Sequence, residues 1–123
     1  MASHNDFGNK AEELAADFLV KNNYKILAKN FRFQKAEIDI IAEKDDLIII
    51  IEVKARSSDA FALPQEAVNK KKIRLIVSAA NYFLEESGSE KEIRFDIITV
   101  LPDKAGNMEI NHIENAFQSI DSV

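Results

Sequence analysis

The chain has 123 residues, of which 46% are hydrophobic and 30% are charged, and it contains no cysteine. This composition is typical of a globular protein, and the length predicts a single domain that covers residues 1–123. The lack of cysteine excludes disulfides and thiolate metal sites. A formal net charge of -5 argues against binding of nucleic acid by bulk electrostatics, so any such contact would depend on local basic patches.

The apolar runs are too short for a membrane span. The longest, Leu47 to Ile51, is far below the roughly 20 residues that cross a bilayer. The first ten residues, MASHNDFGNK, lack the apolar stretch of a secretory signal. We therefore expect a cytoplasmic protein with no membrane partner.

The predicted elements follow one another without a repeat or a linker. Apolar residues from Phe7 to about Lys21 recur at three- and four-residue steps, which predicts an amphipathic helix. Three β-rich segments follow, YKILAKNFRF, AEIDIIAE and DLIIIIEVK. A second helix is predicted to begin at Pro64, run to about Ser87 and end at Gly88. EIRFDIITVL and NMEINHIE are the last two predicted strands. The order αβββαββ predicts an α/β fold, a mixed β-sheet flanked by helices.

The second and third strands are predicted to form a hairpin around a polar turn at Asp45 and Asp46. An even register around this turn would set Asp39 opposite Glu52. The same register sets Glu37 opposite Lys54, and period-two alternation places these four charged side chains on one face. The other face would hold Ile38, Ile40, Ile51 and Val53. A bulge or an odd number of loop residues would break this register.

The facing carboxylates of Asp39 and Glu52 predict a cation site. Acids placed opposite each other repel, so something must offset the repulsion. A protonated carboxyl would do so, but Mg²⁺ or Mn²⁺ does it better, because Mg²⁺ is held by one or two carboxylates together with waters and phosphates. Lys54 follows Glu52 by two residues, within reach of a phosphate oxygen. This set is typical of a metal-assisted phosphodiester hydrolase.

A plainer interpretation of the same face is a half-solvated strand surface. In that case Glu37 and Lys54 would form an exposed ion pair worth under about 1 kcal/mol. The spacing alone does not decide between the two interpretations. The first helix offers a further acid, because Glu12 falls at the edge of the apolar stripe whereas Glu13 points into solvent.

Several segments taken together resemble one protein family. GNKAEELAADFL, NYKIL, EIDIIA, IEVKAR, LPQEAV and KIRLIVSAANYFL occur in this order, and the chain is similar to the YraN-like bacterial proteins. That family is assigned to the restriction-endonuclease-like fold and is similar in layout to archaeal Holliday junction resolvases. The resemblance implies a degenerate PD-(D/E)xK nuclease site. In it Asp39 and Glu52 would be metal ligands, Lys54 the catalytic lysine and Glu12 an auxiliary acid.

The chain departs from the family pattern at three positions. Many members carry glycine where this chain has Asn23, Ala36 and Ala62. If the backbone at position 36 needs a positive φ, alanine would oppose it.

Basic and polar residues around the second helix are candidates for contacts with nucleic acid. Lys70, Lys72 and Arg74 lie in the densest basic stretch, with Lys70 and Arg74 on one helical face. A solvated helix face explains them about equally well. Arg56 and Gln65 are further candidates for binding phosphate.

The sequence therefore predicts an endonuclease that needs Mg²⁺ or Mn²⁺ and hydrolyses phosphodiester bonds of DNA, with branched or structured DNA preferred by analogy. The alternative is a non-catalytic nucleic-acid-binding or protein-interaction module on the same scaffold. The negative net charge and the absent glycines favour that alternative. Cutting of two strands would suit a homodimer with paired sites, although no self-complementary patch can be read from the sequence.

Overall fold

The computed structural model describes residues 4–55 and 69–122, with side chains from 10 to 55 and from 69 to 121. Within these ranges the elements follow the predicted order αβββαββ, which confirms the expected α/β fold. The helices and strands are α1 (His4–Lys21), β1 (Lys25–Phe33), β2 (Ala36–Lys44), β3 (Leu47–Ala55), α2 (Lys70–Ser87), β4 (Glu92–Pro102) and β5 (Met108–Phe117), followed by a short 3₁₀ helix (Ser119–Ser122). Neither α1 nor α2 is long and apolar enough to cross a membrane.

The five strands form one mixed sheet in the order β1-β2-β3-β4-β5. Neighbouring strands are antiparallel except for β3 and β4, which are parallel. Parallel neighbours require a crossover connection, and α2 lies in the connection between these two strands. The sheet is therefore covered on both faces, by α1 on one and by α2 on the other.

The isoleucine run of β3 fits this double cover. Ile49 and Ile51 pack in the core cluster with α1, whereas Ile48 and Ile50 pack in the cluster with α2. A strand buried on both faces is continuously apolar instead of alternating. The change to Glu52 ends this run, so the first charged side chain of β3 follows directly after a fully buried segment.

The second helix begins later than the sequence predicted. Asn69 has an extended conformation (ψ 173°), and its side chain accepts the Lys72 N–H (2.9 Å) as the helix N-cap. A continuous helix from Pro64 to Ser87 is therefore wrong, because Asn69 interrupts it; Pro64 itself lies outside the described residues. The predicted end is confirmed, since Gly88 takes the left-handed conformation (φ 68°) that closes the last turn.

The backbone φ angles show whether the residues that replace glycine are strained. Asn23 has φ 70°, a conformation that asparagine tolerates better than most residues. Ala36 is buried in β2 and does not have a positive φ, so alanine is not strained there. Ala62 lies outside the described residues.

A buried charged network joins β4 to β5. Asp96 is fully buried and accepts hydrogen bonds from Arg94 Nε (2.9 Å), Arg94 Nη2 (2.8 Å) and the Asn115 N–H (2.9 Å), while His112 Nε2 lies 2.7 Å from its Oδ2. Arg94 also donates to Tyr24 Oη (2.7 Å). The register of this strand pair shifts between Phe95 and Ile97. Asp96 accepts the Asn115 N–H, and Asn115 has no partner in the ladder at this shift.

Candidate active site

The predicted register of the β2–β3 hairpin is confirmed near the turn and wrong beyond it. Pairing runs from Lys44 opposite Leu47 to Ile40 opposite Ile51, around the turn at Asp45 and Asp46. It stops there, although β3 continues to pair with β4 as far as Ala55. Asp39 and Glu52 are therefore not ladder partners, because β2 separates from β3 at this point. Nor are Glu37 and Lys54.

A side chain fills the gap that opens between the strands. Asp39 Oδ2 accepts the backbone N–H of Val53 (2.8 Å), so the carboxylate takes the place of a carbonyl from the departing strand. The β1 residue across from Asp39 is Asn30, which has φ 52° and interrupts the β1–β2 ladder at the same level. At the level of Asp39, β2 is thus irregular toward both of its neighbours, β1 and β3.

This irregularity also changes the faces of β2. Ile40 packs in the cluster with α1 together with Ile51, and Val53 packs against that cluster, as predicted. Ile38 packs instead in the cluster with α2, so its predicted place beside Ile40 is wrong. The alternation breaks at Asp39, because the strand turns where its ladder ends.

Four charged residues of β2 and β3 line one cavity of about 500 Å³, a volume within the usual range of ligand sites. Glu52 and Lys54 enter it from β3, and Lys72 enters it from the first turn of α2. Asp39 reaches it through the gap between the strands. The lining residues are Lys35, Ala36, Glu37, Asp39, Glu52, Val53, Lys54, Lys72, Leu75 and Ile76.

Glu52 is the most unusual group of this cavity. The residue is only 3% exposed, and among the described residues its Oε1 has no hydrogen-bond partner. Its Oε2 lies 3.8 Å from Lys72 Nζ. Burial raises the pKa of Glu52 to about 8, helped by the charge of Asp39 and a hydrogen bond between the two carboxyl groups, against the opposing effect of Lys72 and Lys54. The pair therefore retains a proton at neutral pH.

Two lysines lie beside this acid pair. Burial lowers the pKa of Lys54, and a hydrogen bond and the charge of the neighbouring Lys72 lower it further, while Glu52 and Asp39 act in the opposite direction. The sequence suggested Lys72 only as a phosphate contact on an exposed helix. The structure places it inside the cavity, because the helix begins at the Asn69 cap and Lys72 extends from its first turn to Glu52.

Glu12 of α1 lies close to the acid pair but does not line the cavity. With its amide nitrogen turned toward these acids, Asn30 donates to Glu12 Oε1 (2.8 Å) and Glu37 Oε1 (3.3 Å). Burial raises the pKa of Glu12, and the charges of Asp39 and Glu37 raise it further. Glu37 pairs with Arg32 (3.1 Å), so the predicted ion pair between Glu37 and Lys54 is wrong.

The acid pair fits Mg²⁺ better than a metal with many protein ligands. No group of three or more histidine or acidic residues in the described ranges is arranged to hold a metal ion. Mg²⁺ needs only one or two carboxylates, because waters and substrate phosphates complete its shell. The free buried oxygen of Glu52 and its contact with Asp39 are features that such an ion would satisfy.

The other predicted nucleic-acid contacts are less closely tied to the cavity. Lys70 and Arg74 are exposed on α2, and neither lines it. Arg56 and Gln65 lie outside the described residues. Sequence reasoning missed Lys35, whose position in the β1–β2 turn gave no sign that it lines the same cavity as the acid pair.

Comparison with known proteins identifies the family. The sequence profile of the uncharacterised protein family UPF0102 matches residues 11–100, which includes Glu12, Asp39, Glu52, Lys54 and Lys72. The chain belongs to the UPF0102 family. This confirms the resemblance to YraN-like proteins seen in the sequence, and the mixed sheet in the order αβββαββ is consistent with the restriction-endonuclease-like layout expected for them.

UPF0102 relatives match the chain over nearly its whole length. The UPF0102 protein of Christiangramia forsetii is 47% identical over 117 residues, 95% of this chain and 98% of the relative. That of Flavobacterium psychrophilum is 48% identical over the same shares. That of Bacteroides fragilis is 45% identical over 95% of this chain and 96% of the relative. The similarity thus spans both helices and all five described strands.

Proposed function

We propose that this UPF0102 protein is a nuclease that uses Mg²⁺ or Mn²⁺ to hydrolyse phosphodiester bonds of DNA, with branched or structured DNA as the preferred substrate. One observation carries the proposal. Asp39 and Glu52 are held together at the point where β2 and β3 separate, with a buried Glu52 oxygen that lacks a partner and Lys54 beside it.

The charged residues of the site and their neighbours have different roles in this proposal. Asp39 and Glu52 would hold the divalent cation. When bound, the cation supplies Lewis-acid stabilisation of the charge on phosphorus and acidifies a water molecule. Lys54 orients the attacking water or shares the developing negative charge. Glu12 would be an auxiliary acid, and Asn30 holds the carboxylates of Glu12 and Glu37 in place by donating to both.

The charges of the cavity favour a phosphodiester substrate. Three acids (Glu37, Asp39 and Glu52) and three lysines (Lys35, Lys54 and Lys72) line it, so a bound divalent cation would leave an excess of positive charge. A phosphate group carries negative charge before reaction and gains more in the transition state, which matches that excess. A neutral substrate would leave the cavity without its compensating charge.

Cleavage assays test the proposal. Purified wild type is expected to cut junction, flap or single-stranded DNA in Mg²⁺ or Mn²⁺, and Asp39→Ala and Lys54→Ala are expected to abolish the activity. Lys71→Ala is a matched control, because Lys71 is exposed on α2 and does not line the cavity. Activity that is indifferent to the first two substitutions would come from a contaminant and would overturn the proposal.

A second candidate is a non-catalytic binding module on the same scaffold. The contact of Lys72 with Glu52 favours it, because that contact gives the buried acid a counter-ion without any metal. Titration with Mg²⁺ discriminates the two. The nuclease proposal expects shifts of the amides near Asp39 and Glu52, above all of the Val53 N–H, whereas the binding module expects no response.

A further inference from the structure

The acid pair already has cationic partners without a metal ion. Asp39 and Glu52 share negative charge, and Lys54 and Lys72 lie beside them in the cavity. The closest described contact between the two sets joins Lys72 Nζ to Glu52 Oε2 at 3.8 Å. A divalent cation that binds the same acids therefore enters a site in which Lys72 already serves as counter-ion.

The two partners of this contact differ in their freedom to move. The side chain of Glu52 is 4% exposed and is fixed on a strand that pairs with β4. That of Lys72 is 39% exposed and extends on a long unbranched stem from the first turn of α2. When a cation approaches Glu52, Lys72 is the group that can leave at small cost, because part of it is already solvated.

Lys54 is less free than Lys72 to move away from the acid pair. It is partly buried on β3, within hydrogen-bonding reach of Lys72. Two ammonium groups and a divalent cation in one cavity repel one another, and moving one group or adding an anion relieves the repulsion. A substrate phosphate at the cavity is such an anion.

We propose that Lys72 is an exchangeable counter-ion, which offsets the negative charge of the Asp39–Glu52 pair in the metal-free protein and transfers to a substrate phosphate when a divalent cation binds the pair. This inference rests on the proposed function. It makes metal binding and phosphate binding mutually dependent through one side chain. Each ligand strengthens the other, because the cation frees Lys72 for the phosphate and the phosphate keeps Lys72 away from Glu52.

The experiment measures this coupling directly. Mg²⁺ is titrated into ¹⁵N-labelled protein with and without a saturating short phosphorothioate-linked DNA oligonucleotide that resists hydrolysis, and the Val53 amide reports on Asp39. The oligonucleotide is expected to tighten Mg²⁺ binding by about tenfold or more in wild type. In Lys72→Met the tightening factor is expected to fall to about threefold or less.

Two further variants make the result specific. Lys71→Met removes one positive charge from the same helical turn but from an exposed position outside the cavity, and it should keep the wild-type factor. Lys72→Arg keeps a mobile cation and should restore most of the coupling. Because the measured quantity is a ratio of two affinities in one variant, a shift of the Glu52 pKa caused by the substitution largely cancels.

The outcomes separate this inference from the proposed function. An equal factor in wild type and Lys72→Met would overturn the inference, as would an equal loss in Lys71→Met. Wild type that binds Mg²⁺ without any coupling to the oligonucleotide would overturn it too, and would leave the metal site standing. Wild type that does not respond to Mg²⁺ at all would overturn both.

Discussion

The backbone N–H of Val53 donates a 2.8 Å hydrogen bond to Asp39 Oδ2 at the point where the pairing of β2 with β3 stops. The same carboxylate lies within hydrogen-bonding reach of Glu52. Asp39 therefore closes a gap in the sheet and belongs to the candidate metal site at once. These two roles depend on different properties of the side chain, so substitutions can separate them.

Asp39→Asn and Asp39→Ala should differ in the metal-free protein. Asparagine keeps an oxygen that accepts the Val53 N–H and removes the repulsion with Glu52, so its free energy of unfolding should equal or exceed that of wild type. Alanine leaves the N–H without a partner and should cost about 1–2 kcal/mol. Both should lose the stabilisation that Mg²⁺ gives to wild type. Urea denaturation with and without Mg²⁺ measures each effect.

Asp46→Asn is the control for this comparison, because Asp46 is exposed in the turn of the same hairpin. It should keep both the wild-type stability and the response to Mg²⁺. A loss of several kcal/mol in Asp39→Asn would contradict the expectation, since it would show that the fold requires the charge of Asp39.

The raised pKa of Glu52 predicts how stability depends on pH. The pKa is about 8 in the folded protein against an ordinary value of 4.5, so the folded state holds an extra proton between these values. The stability that this proton contributes is fully present below pH 4.5 and is lost as the pH rises toward 8. The loss in the free energy of unfolding is on the order of 2–4 kcal/mol. Glu52→Gln keeps the shape and cannot ionise, so it should lack this dependence. Urea denaturation in EDTA at pH 5.5, 7 and 8.5 compares the two proteins. Parallel pH curves would refute the raised pKa.

Binding of Mg²⁺ should release a proton from the same pair. Because the ion needs the ionised carboxylates, its apparent affinity should rise by up to about tenfold per pH unit between pH 6 and 8 and then level off. Calorimetry in two buffers with different ionisation enthalpies counts the released protons, with about one expected per ion at pH 7. An affinity independent of pH would mean that the ion does not bind Glu52.

The network around Asp96 should dominate stability at acid pH. Burial would raise the pKa of Asp96, but the hydrogen bonds from His112, Arg94 and the Asn115 N–H outweigh burial and lower it. The resulting stability is present above the ordinary value of 3.8 and is lost as the pH falls below it. Asp96→Asn leaves Arg94 without its buried partner and should cost about 3–5 kcal/mol at pH 7. Thermal and urea denaturation measure the loss. The exposed Asp103→Asn, in the β4–β5 turn, is a control expected to lose less than about 1 kcal/mol.

The N-cap of α2 should control the helical turn that carries Lys72. Asn69→Ala removes the acceptor of the Lys72 N–H and should cost about 1 kcal/mol of unfolding free energy. Asn69→Asp keeps an acceptor and adds a negative charge at the helix N-terminus, so it should be neutral or slightly stabilising. Chemical denaturation checks both. Equal losses in the two variants would show that the cap hydrogen bond is not what stabilises this turn.

The sequence was sufficient for the parts of the fold that depend on local patterns. The periodicity of α1, the isoleucine-rich strands and the turn at Asp45 and Asp46 predicted the element order and the register from Ile40 to Ile51. It could not predict where the ladder ends, because the break coincides with the left-handed Asn30 on β1, a segment outside the hairpin. The alternation of β2 breaks at Asp39, at the same level, and could not be predicted for the same reason.

The candidate site shows the same limit. Asp39, Glu52 and Lys54 could be singled out because they lie on one predicted hairpin. The place of Lys72 depends on where α2 begins, and the prediction of a start at Pro64 left the orientation of its basic residues open. The contacts of Asp96 with Arg94 and His112 depend on the register shift between β4 and β5, and no local sequence pattern predicts that shift.

The irregular β1 strand also bears on how copies of this protein can associate. In the described ranges β1 pairs only with β2, so its outer row of backbone groups faces away from the sheet. The register shift between Ile26 and Ala28, the left-handed Asn30 and the exposed Lys25 and Lys29 make this edge bent and positively charged. Two such edges repel and do not match in shape, so strand-to-strand extension of the sheet across β1 is disfavoured.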